Sequence, residues 1–173
     1  MTPGSTTSVA TKKLLVVYHT MTGGTQQMAE AAARGAAVEA AVRTTLLRAP
    51  DALPRHVLEA DGLLFATPEN LASMSGLMKD FFDRCYYAVL DQVAGRPYAA
   101  MVCAGSDGQG AVRQLERIAL GWRLKPVAEP LIVITDAQSP ERILAPKTIG
   151  PTDLRRCEEL GSTLAVGLAL GMF

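Results

Sequence analysis

Five short apolar segments alternate with stretches of helix-forming residues, and this alternation limits the fold more than any other feature of the sequence. The apolar segments lie at residues 13–18, 42–47, 63–66, 98–103 and 127–134. Apolar runs of this length are typical of parallel strands that are buried on both faces. Strands that alternate with helices predict a three-layer, doubly wound α/β fold with one five-stranded parallel sheet.

The segments between the strands carry helix signals. Helices are predicted over residues 25–40, 111–122 and 152–170, and one or two helical turns over residues 54–59. In the best-defined helix, apolar residues recur with the i, i+3, i+4 spacing of one core-facing stripe: Met74, Leu77, Met78, Phe81, Phe82, Cys85 and Val89. Ser73 or Ser75 is expected to cap the start of this helix.

The predicted fold places the carboxyl ends of all its strands along one edge of the sheet. Ligands of such sheets bind at that edge, where the strand order reverses. From the strand count we assume the order 2-1-3-4-5. In that order the loops at residues 19–25, 67–73 and 104–110 converge on one crevice.

The first of these loops joins the first strand to the first helix and reads Thr20-Met21-Thr22-Gly23-Gly24-Thr25. Hydroxyls, glycines and a helix N-terminus present N–H groups and a positive potential to a phosphate, so such a loop can hold a dianion without a lysine. A Walker P-loop would need that lysine, and the glycine spacing is not that of a Rossmann fingerprint. The loop predicts a phosphate-bearing ligand. The alternative is a hydroxyl-rich turn that binds nothing.

All three loops resemble those of a known family. The pattern Thr20-x-Thr22-Gly23-x-Thr25 resembles the phosphate loop of flavodoxins. A second segment resembles the flavin-contacting loop and following helix of flavodoxin-like NAD(P)H-dependent FMN reductases and quinone reductases. It reads Thr67-Pro68-Glu69-Asn70-x-x-Ser73-Met74-Ser75-Gly76-x-Met78-Lys79-Asp80-Phe81-Phe82-Asp83-Arg84. Their second flavin loop corresponds to Cys103-Ala104-Gly105-Ser106-Asp107-Gly108-Gln109-Gly110. The similarity covers residues 12–134 and is greatest to the multimeric oxidoreductases of the tryptophan-repressor-binding-protein type.

The resemblance implies a flavodoxin-like domain over residues 12–173 that binds FMN non-covalently. Its phosphate would be held by Thr20, Met21, Thr22, Gly23, Gly24 and Thr25. One side of its ring system would be bordered by Thr67, Pro68, Glu69, Asn70, Ser73 and Met74, and the other by Ala104, Gly105, Ser106 and Gly108. Many relatives have an aromatic side chain after the proline, where this chain has Glu69, Asn70 and Leu71. The catalytic residue stays unknown, because hydride transfer to a flavin needs no acid–base side chain, and no metal is expected.

The function that this implies is an NAD(P)H-dependent oxidoreductase that passes electrons to a quinone or a free flavin. Two alternatives stay open: a non-enzymatic flavodoxin-type electron carrier, and a flavin-free interaction module. Flavodoxin carriers are typically acidic, whereas 17 basic and 17 acidic residues give this chain a formal net charge of zero. The same balance gives no electrostatic argument for a nucleic-acid partner.

Cysteine usage and hydropathy predict a cytoplasmic protein. The three cysteines, Cys85, Cys103 and Cys157, fit reduced thiols, and Cys103 is interpreted as an inert core thiol. No apolar run approaches the ~20 residues of a membrane span. Residues 1–11 are expected to form a disordered leader. The apolar terminal helix and the multimeric relatives suggest a homo-oligomer, although packing within one chain would explain the same residues.

Overall fold

The computed structural model describes residues 11–173, so the predicted leader lies outside the described residues except for Thr11. The strands of this part of the chain are β1 (Lys12–Tyr18), β2 (Val42–Arg48), β3 (Gly62–Asn70), β4 (Ser73–Met74), β5 (Pro97–Ala104), β6 (Lys125–Pro126) and β7 (Leu131–Ile134). The helices are α1 (Gly24–Ala36), α2 (Pro54–Glu59), α3 (Gly76–Val89), α4 (Gln109–Gly121), α5 (Pro140–Leu144) and α6 (Pro151–Leu170).

The main sheet is parallel and has the order β2-β1-β3-β5, with β6 and β7 both paired to the free side of β5. Its register places Val16 of β1 opposite Leu46 of β2 and Leu64 of β3. The predicted order 2-1-3-4-5 is confirmed, because β5 is the fourth predicted strand and β6 and β7 occupy the place of the fifth. The predicted continuous fifth strand is wrong. Only its second half forms a strand, β7 (Leu131–Ile134), because Pro130 just before it lacks the N–H group that a ladder needs.

The end of β3 departs from the predicted loop at residues 67–73. The strand continues to Asn70, and the chain then turns back as β4 in an antiparallel pair that joins Asn70 to Ser73 and Glu69 to Met74. The two residues of the turn, Leu71 and Ala72, both adopt left-handed backbone angles, with φ of 51° and 58°. Hairpin turns of this geometry usually carry Asn-Gly, so the local sequence gives no signal for the hairpin.

The helices lie close to their predicted positions, but Met74 of the predicted stripe lies in β4 and Leu77 is exposed. Ser75 caps α3 by accepting the N–H of Met78 at 3.3 Å. The first helix ends at Ala36 rather than at residue 40. The connection over residues 135–149 contains the short helix α5, whose first turn is capped by the Ser139 hydroxyl.

The sheet separates two apolar cores, which confirms the three-layer arrangement. One face packs against α1 and α6 through residues such as Leu14, Val16 and Leu164. The other face packs against α3 and α4 around an aromatic cluster in which the ring centroids of Phe82 and Trp122 lie 5.2 Å apart. No helix within residues 11–173 is both long enough and apolar enough to cross a membrane.

Candidate functional site

A cavity of about 460 Å³ lies at the carboxyl edge of the sheet, where the loops after β1, β3, β5 and β7 meet. This volume is in the range of small-molecule sites. Of the sixteen predicted site residues, eleven line the cavity: Thr20, Met21, Thr22, Gly24, Thr25, Pro68, Glu69, Asn70, Ala104, Gly105 and Ser106.

The other five predicted residues lie in the same loops but not on the cavity wall: Gly23, Thr67, Ser73, Met74 and Gly108. Thr67 is fully buried, and its hydroxyl accepts the N–H of Ser75 at 3.1 Å. The side chain of Met74 belongs to the core. Thr67 and Met74 therefore hold the backbone of the site in place from the protein core.

In the described part of the chain, the start of α1 has unpaired polar groups facing the cavity. Gly23 precedes the helix with a left-handed φ of 90° and donates its N–H to the Thr20 hydroxyl at 3.0 Å. Within residues 11–173 no side chain caps α1, so its first N–H groups are available to an anion. Thr25 is 1% exposed, and its hydroxyl has no well-formed hydrogen bond in this part of the chain, since the Cys103 thiol beside it is a weak partner. A ligand oxygen at this point would satisfy these groups.

Gly24 lets the start of α1 lie directly against its neighbours. A Cβ at this position would lie 2.7 Å from the Cys103 sulfur and 3.3 Å from the Cβ of Lys147. A side chain here would therefore push away β5 or the chain that follows α5. The absence of that side chain leaves the helix N-terminus open to the cavity.

The Gln27 side chain fastens the chain after α5 to the first loop. Its amide nitrogen donates to the carbonyl oxygens of Gly23 at 3.0 Å and Lys147 at 2.7 Å. Its amide oxygen accepts the N–H of Ile149 at 3.0 Å, and the N–H of Lys147 donates to the Thr22 carbonyl at 2.8 Å. Lys147 is thereby held against the first loop and, with the lining residues at 135–144, forms a fourth wall of the site.

Two side chains lock the β3–β4 hairpin onto α4. The half-buried Glu69 carboxylate accepts the N–H groups of Gly108 at 2.9 Å and Ala111 at 3.1 Å, at the N-terminus of the helix. The second contact is made by Gln114 of α4, whose amide oxygen accepts a hydrogen bond from the Ser73 hydroxyl at 2.7 Å. The negative charge of Glu69 is thus compensated by the helix dipole.

The mouth of the cavity is apolar. Leu71, at the tip of the hairpin, is 101% exposed, and Met21, Ile143 and Leu144 are also mostly exposed. All four line the cavity. Exposed apolar side chains gathered around a cavity are typical of a binding surface.

Eight lining residues were not predicted from the sequence: Leu71, Ala72, Cys103, Thr135, Ala137, Ile143, Leu144 and Lys147. Three of them adjoin predicted residues. The other five come from residues 135–149, which follow the fifth strand and so begin at the same sheet edge. Ser139 followed by Pro140 is a helix-start signal that would have indicated α5.

The buried titratable groups near the site favour their neutral forms. Burial raises the pKa of the Cys103 thiol to about 11, and this outweighs the opposing effects of the Lys147 charge and the Thr25 hydroxyl. Burial, with a smaller contribution from the Arg48 charge, lowers the pKa of His19, which does not line the cavity. Among residues 11–173 no three His, Cys, Asp or Glu side chains are placed to hold a metal ion.

Comparison with known proteins places this chain among flavin-associated sequences. A family model described as NADPH-dependent FMN reductase matches residues 13–138. A flavodoxin from Aquifex aeolicus is 36% identical over 98 residues, which are 57% of this chain and 53% of the relative. An NAD(P)H dehydrogenase (quinone) from Acidithiobacillus ferrooxidans is 32% identical over 92 residues, which are 42% of this chain and 46% of the relative. The chain spans about half the length of the curated relatives it matches.

Solved structures share the fold at low sequence identity. A flavodoxin from the domain Archaea has a TM-score of 0.73 at 20% identity and covers 90% of this chain and 98% of its own. A WrbA-like flavodoxin from Agrobacterium tumefaciens also has a TM-score of 0.73 at 20% identity and covers 92% of this chain and 98% of its own. These likenesses show a flavodoxin-like fold.

Proposed function

The chain belongs to the NADPH-dependent FMN reductase family, and we propose that the cavity at the carboxyl edge of its sheet binds FMN non-covalently. The observation that carries this proposal is that, within residues 11–173, no side chain caps the start of α1 and the buried hydroxyl of Thr25 beside it has no well-formed hydrogen bond. An unpaired buried hydroxyl costs about 1–3 kcal/mol, and a phosphate oxygen would remove that cost.

The 20–25 loop is the proposed phosphate end of the site. The hydroxyls of Thr20, Thr22 and Thr25 and the N–H groups at the start of α1 would donate to the phosphate oxygens. The helix dipole adds a positive potential at the same point. The closeness of Gly24 to Cys103 and Lys147 keeps this end of the site narrow.

The ring end is proposed to lie between the β3–β4 hairpin and the loop after β5. Pro68 and Asn70 would border one side of the ring system, and Ala104 and Gly105 the other. Leu71 stands at the rim of this region, so an aliphatic side chain takes the place of the aromatic seen in many relatives. The bonds from Glu69 to α4 keep the hairpin at a fixed distance from the loop after β5.

We extend the proposal to an NAD(P)H-dependent oxidoreductase of the cytoplasm that passes electrons to a small-molecule acceptor, either a quinone or a free flavin. When bound, FMN would supply the hydride chemistry, while the protein orients the ring and limits the access of water. The Acidithiobacillus relative, named as a quinone dehydrogenase, and the net charge of zero support this over an electron carrier. The Aquifex relative, named as a flavodoxin, favours the carrier as the second candidate. We also propose that the protein self-associates. This part of the proposal is supported only by the resemblance to multimeric oxidoreductases.

The test is FMN binding by the wild-type protein and two matched variants, followed by flavin absorption and fluorescence. Thr22→Asp places a negative charge against the phosphate, and we expect FMN affinity to fall by more than about 100-fold. Thr152→Asp makes the same chemical change in the exposed first turn of α6, where an acidic residue is favourable, so FMN affinity should not change. A wild-type protein that binds no FMN, or a Thr22→Asp variant that binds it as Thr152→Asp does, would overturn the proposal.

A second measurement separates the two candidate activities. The FMN-loaded protein is mixed with NADH or NADPH and a quinone, and nucleotide oxidation is followed. Steady oxidation supports the enzyme. Reduction that occurs only through a separate protein reductase would favour the carrier and contradict the enzyme.

A further inference from the structure

Lys147, on the wall of the cavity, is a cation without a carboxylate partner among the described residues 11–173. Of the described residues that line the cavity, only two are charged, and the other, Glu69, is bound to the start of α4. None of the seven ion pairs within residues 11–173 includes Lys147. Its ammonium donates instead to three neutral carbonyl oxygens, those of Arg142 at 2.7 Å, Ile143 at 3.0 Å and Ala145 at 2.6 Å.

The backbone of Lys147 is fixed beside the proposed phosphate end of the site. Its N–H donates to the Thr22 carbonyl, and its own carbonyl accepts the Gln27 amide. Its Cβ lies 3.3 Å from the point that a Cβ on Gly24 would occupy. Its charge also lowers the pKa of the Cys103 thiol, although burial dominates that pKa. The backbone of Lys147 is therefore held close to the N-terminus of α1, and its charge acts on the Cys103 thiol beside Gly24.

We propose that Lys147 is a phosphate-binding residue of this protein, whose ammonium pairs with the phosphate monoester of FMN seated in the 20–25 loop. The inference rests on the proposed function, because it needs FMN in this cavity. Replacing one neutral carbonyl acceptor by a phosphate oxygen gives a charge-assisted hydrogen bond, which is about twice as strong. The 20–25 loop itself carries no cation, so Lys147 supplies from a distant segment the charge that the loop lacks.

The test compares FMN with riboflavin, which has the same ring system and no phosphate. Lys147→Gln removes the charge but keeps an amide that can donate to the carbonyls at the end of α5. We expect the affinity for FMN to fall by about tenfold or more and the affinity for riboflavin to stay the same. The preference for FMN should also depend less on ionic strength in the variant than in the wild type.

The matched control is Lys125→Gln. Lys125 is exposed on β6 and pairs with Pro97, the first residue of β5, at the sheet edge opposite the cavity. Its replacement should leave both flavin affinities unchanged.

The outcomes distinguish this inference from the function on which it rests. A wild-type protein that binds neither flavin, or binds both equally, contradicts the proposed phosphate site itself. A wild-type preference for FMN that survives in Lys147→Gln overturns the role of Lys147 alone. Equal losses for both flavins would show that Lys147 only holds α5 in place, and would also overturn it. An unchanged FMN preference with a raised KM for NADPH but not for NADH would assign the lysine to the nucleotide phosphate instead.

Discussion

The turn between β3 and β4 offers a sharp test of how this structure stores backbone strain. Its two residues, Leu71 and Ala72, are in the left-handed region with φ of 51° and 58°. For an L-residue with a Cβ, that region costs about 1–2 kcal/mol relative to right-handed backbone. Glycine carries no such cost, so Ala72→Gly should relieve strain and stabilise the protein.

The size of the effect follows from three terms: the strain that is relieved, the buried area that is lost and the entropy of the unfolded chain. Ala72 is exposed, so the loss of its methyl group removes little buried area. The greater freedom of glycine in the unfolded chain costs about 0.5–1 kcal/mol, which is less than the strain that is relieved. The net gain in the free energy of unfolding is therefore about 0.5–1 kcal/mol, which for a domain of this size raises Tm by about 1–4 °C.

The assay is urea unfolding and thermal melting of Ala72→Gly beside Ala37→Gly. Ala37 is also exposed, but its φ is −67°, so glycine there relieves no strain. The control should lose about 0.5–1 kcal/mol, and the two variants should move in opposite directions. If Ala72→Gly is destabilised as much as Ala37→Gly, the left-handed turn does not store the strain assigned to it.

Two further predictions concern the walls of the cavity. Glu69→Gln removes the charge that the start of α4 binds, and urea unfolding should show a free energy of unfolding lower by about 1–2 kcal/mol. The control is Glu116→Gln, at an exposed position of α4, and an equal loss in this control would contradict the prediction. Because burial raises the pKa of Cys103 to about 11, its alkylation, measured by mass spectrometry, should accelerate about tenfold for each pH unit from neutral pH upward. Bound FMN should slow the alkylation. A rate that does not depend on pH would refute the raised pKa of this thiol, and a rate that does not depend on FMN would refute its position at the FMN site.

The fold could be predicted because its main strands are buried on both faces. Leu14, Leu15, Val16 and Val17 are all at most 2% exposed, so the sequence of β1 is a continuous apolar run. Such runs are local signals, and the right-handed crossover rule converts them into a sheet with one binding edge. The strand order followed from these signals, whereas the late start of the fifth strand depended on where Pro130 falls in the ladder.

The hairpin could not be predicted because distant residues hold it. Leu71 and Ala72 have no preference for a tight turn, and neither neighbouring strand end contains Asn-Gly. Its geometry is imposed by Glu69, which binds the start of α4, and by Gln114, which binds Ser73 from a position 41 residues away. Strained backbone is common at functional sites, and this turn lies at the rim of the cavity.

The fourth wall of the site shows what a loop motif leaves out. The 20–25 loop was interpreted as a neutral phosphate site because none of its residues is charged, yet Lys147 lines the same cavity. Gln27 makes that arrangement, since its amide joins the first turn of α1 to a segment 120 residues further along the chain. Neither a glutamine in a helix nor a lysine after a proline is a motif, so no local pattern indicates the contact. The electrostatics of a site are the sum over every element that reaches it, and a motif reports only the element in which it lies.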